Sequence, residues 1–286
     1  MITDKEINLV YLADSLMRKE TEPYRAFFLE LMGIFNECNV KFSILPMTRN
    51  IWARDFMPIQ VSDDHFAQFV YNPDYMQSAT QQKNLSDVDD ICRRINIVTE
   101  KSKLKVDGGN VVRSSNRVIM CNKVFDENNH LSDKEVKSEL IARLGVKEII
   151  FLPWDKKRDF TGHADGMVRF LDDNTVFVND MTKPEDQHMM HQILDILQSA
   201  GLVCIKLPYN PYSNPSYTSA KGIYINYLET DSAVIVPTFG LKEDDEALKV
   251  FHENFKGKEI RSIDSNVIAK EGGILNCITW NIKKAF

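Results

Sequence analysis

The chain has 286 residues, 43% of them hydrophobic and 27% charged, with a formal net charge of −6. That length supports a large core, and the acidic balance excludes the basic, clustered footprint of a nucleic-acid binder. No apolar run approaches the ~20 residues of a membrane span, and Met1-Ile-Thr-Asp-Lys-Glu6 lacks the basic-then-apolar pattern of a secretory signal.

The first patterned segment in chain order is 58–70, where apolar residues flank the polar turn Ser62-Asp-Asp-His65 as in a β-hairpin. Clearer hairpins follow at 111–120, 167–178 and 225–236, with turns at Asn116, Asn174 and Ser232. Successive turns are 58 residues apart, and a fixed period of this size marks a repeat architecture. Helical patterns come after the hairpins. Ser132-Asp-Lys-Glu135 is a capping box that opens an amphipathic stretch to about Leu144. A second helix begins at Pro184, with Met190, Ile193, Leu194 and Leu197 on one face and Gly201 as its stop. A third runs from Glu243 to about Phe255, and short apolar strands follow at 148–152, 203–207 and 259–263. The unit is hairpin, helix, strand, then an irregular loop, and the length accommodates five copies. No linker or shift in composition divides them, so residues 1–286 are expected to form a single domain.

The residues able to do chemistry sit in the loops at matching places. Asp107 and Asp165 are 58 apart, each just before a hairpin; Asp55 precedes the first copy, and Cys277 lies near the start of the last. If the units surround an axis, these positions converge at one end of it. Trp52-Ala-Arg-Asp55, Asp107-Gly-Gly-Asn110, Gly162-His-Ala-Asp165 and Gly272-Gly-Ile-Leu-Asn-Cys277 then pool one thiol, one imidazole and three carboxylates. The set suits attack on the central carbon of a planar, positively charged guanidinium. A thiolate attacks, an imidazole moves protons, and opposed carboxylates hold the cation.

Each residue also has a plainer reading. Asp and Gly favour turns. Cys38, Cys92, Cys121 and Cys204 sit among apolar neighbours, and alone Cys277 would be read as one more buried thiol. An odd, scattered set of cysteines without Cys-x-x-Cys spacing argues for reduced thiols in a cytoplasm. His188 and His191 lie three apart on a predicted helix with no third ligand, so no metal site is expected.

Together the segments resemble the agmatine deiminase / bacterial-type peptidylarginine deiminase branch of the guanidino-group-modifying superfamily. The resemblance runs from Trp52 to Trp280. It includes Trp52-Ala-Arg-Asp55-Phe-Met-Pro58, Asp107-Gly-Gly-Asn110, Gly162-His-Ala-Asp165 and Arg169-Phe170. It continues through Tyr224-Ile-Asn226, Val234-Ile-Val-Pro237 and Glu271-Gly-Gly-Ile-Leu-Asn-Cys277-Ile-Thr279. It implies an α/β fold, a pseudo-fivefold five-bladed propeller (pentein) that works without metal or organic cofactor. It also implies a hydrolase that turns an agmatine-like or arginine-like guanidino compound into its ureido product and ammonia through a covalent thiouronium on Cys277.

In that scheme Cys277 is the nucleophile and His163 the general acid and base. Asp107 orients and charges the imidazole, and Asp55 with Asp165 clamps the guanidinium. Trp52, Arg54, Asn110, Asn226, Gly273 and Trp280 fall among the expected substrate-binding residues. A core role is equally open for both tryptophans, and a protein carboxylate is an equally open partner for Arg54. The expected partner is a small cationic guanidino substrate, with no nucleic acid and no membrane; self-association into a homo-oligomer is left open. Two alternatives stand beside deimination: an amidinotransferase using the same cysteine, and an inactive guanidine-binding propeller. The chain also departs from the pattern. Agmatine deiminases carry Gly-Gly-Gly-x-Ile-His-Cys where this chain has Glu271-Gly-Gly-Ile-Leu-Asn276-Cys277, and their Trp-rich opening segment has no counterpart here. The resemblance therefore bears on the chemistry more than on the substrate.

Overall fold

The computed structural model describes residues 1–18, 22–157, 159–216 and 218–285. Among them the strands form five three-stranded sheets. β1 (Leu9–Ala13) and β2 (Phe42–Leu45) run parallel in the first. The second holds β3 (Ile59–Gln60), β4 (Phe66–Val70) and β5 (Glu100–Lys105). The third holds β6 (Val112–Arg113), β7 (Arg117–Cys121) and β8 (Glu148–Leu152). The fourth holds β9 (Val168–Phe170), β10 (Thr175–Asn179) and β11 (Val203–Leu207). The fifth holds β12 (Leu228–Glu229), β13 (Ala233–Thr238) and β14 (Glu259–Asp264). The last strand, β15 (Thr279–Ile282), returns to the first sheet and pairs antiparallel with β1.

Every sheet has the same plan. Its first two strands are antiparallel, and the third lies parallel to the second. Parallel pairing needs a crossover, and a helix supplies it each time: Glu22–Glu37, Val88–Arg94, Asp133–Leu144, Gln187–Ser199 and Glu243–Asn254. Local chemistry sets their limits. Ser132 accepts from Glu135 N–H while the Glu135 carboxylate accepts from Ser132, and Gly145 ends that helix at φ 62°. Gln187–Ser199 buries Met190, Ile193 and Leu197, three residues on one face, as the spacing predicts.

The period is visible in space. The turn carbonyls of Asn116, Asn174 and Ser232 each accept from the chain entering the third strand: from Lys147 at 2.8 Å, Val203 at 2.8 Å and Glu259 at 3.0 Å. Neighbouring blades also meet through residues 58 apart. Ser115 donates to Asp173 through N–H and hydroxyl, and Arg169 Nη1 donates to Tyr227 O at 3.0 Å. The fold is the five-bladed α/β propeller that the resemblance implies, in line with the five copies that the repeat allows.

One blade differs from the sequence expectation of consecutive units. It is assembled from the first and last strands of the chain, in register from Leu9↔Ile282 to Leu12↔Thr279. The Asn8 side chain locks the seam, donating to Lys284 O at 2.9 Å and accepting from Lys284 N at 2.8 Å. At the hairpin end of the axis, Asp4 pairs with Arg113 at 3.4 Å and with Arg169. Among the described residues no helix is long and apolar enough to cross a membrane.

Candidate active site

At the opposite end of the axis five short turns, each just before a first strand, are bonded into a ring. Arg54 N–H donates to Cys277 O at 3.1 Å. Gly109 N–H donates to Asp55 Oδ1 at 3.2 Å. His163 Nε2 lies 3.0 Å from Asp107 Oδ2. Asn226 Nδ2 donates to Asp165 Oδ2 at 3.2 Å, and Asn276 N–H closes the ring on Asn226 O at 3.2 Å. Residues up to 223 positions apart in sequence, from Arg54 to Cys277, thus meet because each occupies the same place in its own blade.

Within the ring Cys277 is 9% exposed, and its Sγ lies 3.8 Å from Asp165 Oδ2. Asn226 Oδ1 accepts from Cys277 N–H at 3.4 Å, so one asparagine holds both the thiol's backbone and the neighbouring carboxylate. The His163 imidazole stands between two carboxylates, with Nδ1 3.6 Å from Asp55 Oδ1 and Nε2 on Asp107. The loop that delivers it is pinned from below. Lys123, buried, donates to the carbonyls of Phe160 and Thr161 at 3.1 and 3.0 Å and pairs with Asp74 at 2.8 Å.

These surroundings set the charges. Burial opposes a charged His163, but Asp55 and Asp107, with Asp165 behind them, overcome it and push the imidazole up to about 10. Burial, reinforced by Asp107 and Asp165, raises Asp55 to about 7 against the pull of His163. Burial and the carboxylates of Asp165 and Asp55 raise the Cys277 thiol well above its ordinary value. These surroundings favour a thiol and a charged imidazole. Among the described residues no group of three or more His, Cys, Asp or Glu has the geometry to hold a metal ion.

Cys277, His163, Asp165, Asp55, Asp107 and Asn226 come together as a group. Trp52 joins them: its ring lies so close over Gly273 that a Cβ there would meet it at 2.6 Å and Cys277 Cβ at 2.9 Å. Two expected substrate contacts are corrected. Asn110 uses both ends of its amide on the Cys121 backbone, at 3.1 and 2.6 Å, and holds β7 to the turn. Trp280 is 2% exposed, packs against Tyr11 and Phe66, and donates its indole N–H to Pro58 O at 2.7 Å. Both are framework. Among the described residues no ion pair joins Arg54 to a ring carboxylate; its Nη2 donates to Asn276 Oδ1 at 3.0 Å.

Two residues at the site were missed as participants. Tyr75 OH donates to Asp107 Oδ2 at 2.9 Å, on the oxygen that also faces His163. Asn276 Nδ2 donates to Asp165 Oδ2 at 2.6 Å. Nothing local in the sequence marks Tyr75. Asn276 was visible only as a departure from the family pattern.

A family model described as Porphyromonas-type peptidyl-arginine deiminase matches residues 6–282. The agmatine deiminase of Medicago truncatula is 27% identical over 237 residues, covering 72% of this chain and 63% of that protein. The chain thus spans less than two thirds of that curated relative's length. Two solved structures share the fold. The C. jejuni agmatine deiminase superposes with a TM-score of 0.79 at 20% identity, covering 100% of this chain and 96% of the other. The Enterococcus faecalis agmatine deiminase gives 0.82 at 17% identity, covering 99% and 95%.

Proposed function

The chain belongs to the Porphyromonas-type peptidyl-arginine deiminase family, and on that premise we propose that it hydrolyses the guanidino group of a small cationic substrate to a ureido group and ammonia. The observation that carries this reading is the ring itself: a thiol 3.8 Å from Asp165, beside an imidazole flanked by Asp55 and Asp107. The substrate is agmatine-like or arginine-like, and its guanidinium lies between Asp55 and Asp165. Carboxylates suit that group because it is planar, permanently charged and rich in donors.

Binding then changes the thiol. The two carboxylates that oppose ionisation of Cys277 are offset by the guanidinium charge, so the thiolate forms with substrate in place and its proton leaves to solvent. The sulfur attacks the guanidinium carbon, forming a C–S bond. Charged His163 gives its proton to the departing nitrogen, the C–N bond breaks, and ammonia leaves. Cys277 now carries a cationic thiouronium. Neutral His163 next takes one proton from water as the oxygen attacks the same carbon. The C–S bond breaks, the second water proton goes to sulfur, and the ureido product is released with Cys277 again a thiol. Asp107, steadied by Tyr75, holds the imidazole through both transfers. Five unpaired cysteines suit a reducing compartment such as the cytoplasm.

The test is a screen of agmatine, free arginine, peptidyl arginine and simple guanidines for ammonia release. Water labelled with heavy oxygen should leave one labelled atom in the product, with product and ammonia formed in equal amounts. Ammonia from no guanidine would sink the reading. A new guanidino compound made from an added amine, with ammonia falling to match, would replace it with amidino transfer.

A further inference from the structure

We propose that Asn276 is a positioning residue whose side-chain amide keeps Arg54 off Asp165 and so leaves that carboxylate open to the substrate's guanidinium. The proposal rests on the guanidine-cleaving reading and says how the site avoids blocking itself. Asn276 is 4% exposed, one residue before Cys277, and stands between two opposite charges. Its Oδ1 accepts from Arg54 Nη2 at 3.0 Å, and its Nδ2 donates to Asp165 Oδ2 at 2.6 Å. Its backbone oxygen also accepts from Arg54 Nε at 3.4 Å. Arg54 and Asp165 are near enough to feel each other's charge, yet among the described residues no ion pair joins them.

Arg54 carries the group that the substrate would present. A guanidinium and a carboxylate at close range pair through two parallel hydrogen bonds unless something intervenes. Arg54 is thus a competitor built into the site, and what intervenes must accept from a cation on one side and donate to an anion on the other. An amide has one acceptor and a donor group at opposite ends. A carboxylate at 276 would lack the donor, and a lysine would lack the acceptor. A neutral imidazole offers one of each. Other groups hold Arg54 back as well. Asn281, with its amide oxygen turned to the guanidinium, accepts from Nη2 at 2.8 Å, and the charge of Asp4 attracts Arg54. On Asp165 the amides of Asn226 and Asn276 both fall on Oδ2. Among the described residues no hydrogen bond falls on Oδ1, which is the oxygen left for substrate.

Asn276→Leu keeps the shape of the side chain and removes both donor and acceptor. It is to be compared with Asn276→His, with Arg54→Met, and with the Asn276→Leu/Arg54→Met pair. Ammonia release is followed against agmatine or arginine concentration, and crystal structures are determined without substrate. The leucine variant should raise KM about tenfold or more, because a charge-assisted pairing with substrate now competes with an internal one. Its crystal structure should show Arg54 on Asp165. Adding Arg54→Met should bring KM back to within about threefold of Arg54→Met alone, and Asn276→His should rescue KM to within about threefold of the unaltered protein. Arg54 unmoved in the leucine variant, or a loss in KM that Arg54→Met does not relieve, would overturn the proposal. If the leucine variant does not fold, Asn276→Ala is read in the same way. If the unaltered protein releases ammonia from no guanidine, the deiminase reading falls, and the crystal position of Arg54 still decides whether Asn276 holds it away.

Discussion

Gly109→Ala adds one methyl group at the centre of the ring of turns. A Cβ at this position would stand 2.6 Å from His163 Nδ1 and 2.7 Å from Asp55 Oδ1, where ordinary contact begins at 3.4 Å. Neither neighbour is free to leave. The imidazole is tied to Asp107 at 3.0 Å through its other nitrogen, and Asp55 accepts from Gly109 N–H itself at 3.2 Å. Gly109 is not among the residues with positive φ, so alanine meets a steric obstacle there and no backbone strain. The imidazole must give way by about 0.8 Å and the carboxylate by about 0.7 Å, widening a gap that is now 3.6 Å. Overpacking of this kind costs about 1–3 kcal/mol of stability. A misplacement near 1 Å of a reacting group costs about 100-fold in rate. The expected outcome is a folded protein with kcat down about 100-fold, measured by ammonia release alongside urea denaturation. Gly33→Ala is the control: it sits in the helix Glu22–Glu37 with nothing within 4 Å of the added atom. It should gain up to about 1 kcal/mol of stability and leave kcat alone. A Gly109→Ala protein with kcat within about threefold of normal would show that His163 and Asp55 do not work at this separation, and the roles assigned to both would have to be abandoned.

Cys277→Ala should abolish turnover and keep the fold, and mass spectrometry of a rapidly quenched reaction should find the adduct on Cys277; an adduct on Cys38, Cys92, Cys121 or Cys204 would transfer the role. His163→Ala should stop turnover with substrate affinity largely kept, whereas Asp165→Asn should also weaken binding by removing charge-assisted hydrogen bonds. Equal losses of affinity in the two variants would mean that His163 belongs to the clamp. The substrate-free protein should show a pH signature. His163 is raised from an ordinary 6.5 to about 10, so its contribution to stability is complete below pH 6.5 and is lost as the pH climbs through 10. The stability advantage of the unaltered protein over His163→Gln, from urea denaturation, should shrink across that window. A constant advantage from pH 6.5 to 10 would count against a charged imidazole.

Much of the propeller was legible because its repeats announce themselves where the chain turns. Asn116, Asn174 and Ser232 recur at one spacing since each occupies the same turn and makes the same bond to the entering third strand. The start of the helix Asp133–Leu144 was legible for a similar reason: the Ser132–Glu135 box is chemistry of neighbouring residues. The seam blade was not. Leu9–Ala13 is a short, wholly buried apolar run whose hairpin partner lies at the far end of the chain, so no local turn identifies it. The candidate site divides along the same line. Asp107 and Asp165 could be placed because equivalent positions of a ring converge. Being beside a motif, however, does not fix where a side chain points. Asn110 turns back to its own hairpin and Trp280 into the core, although both adjoin chemical residues. The part played by Asn276 depends on partners 222 and 111 residues away, and only assembled geometry brings them to the same amide.

The pairing of β1 with β15 also gives the molecule a clock. Joining residue 9 to residue 282 closes a loop of about 270 residues, with an ideal-chain entropy cost of about 5 kcal/mol. That closure becomes favourable only when the intervening blades already stand in line. A chain growing on the ribosome makes Asp55, Asp107, His163 and Asp165 first. At roughly 5–20 residues per second, Cys277 follows His163 by about 6–23 seconds. Four blades can therefore begin to order before the sulfur exists, and the thiol enters its carboxylate-lined seat as the circle shuts.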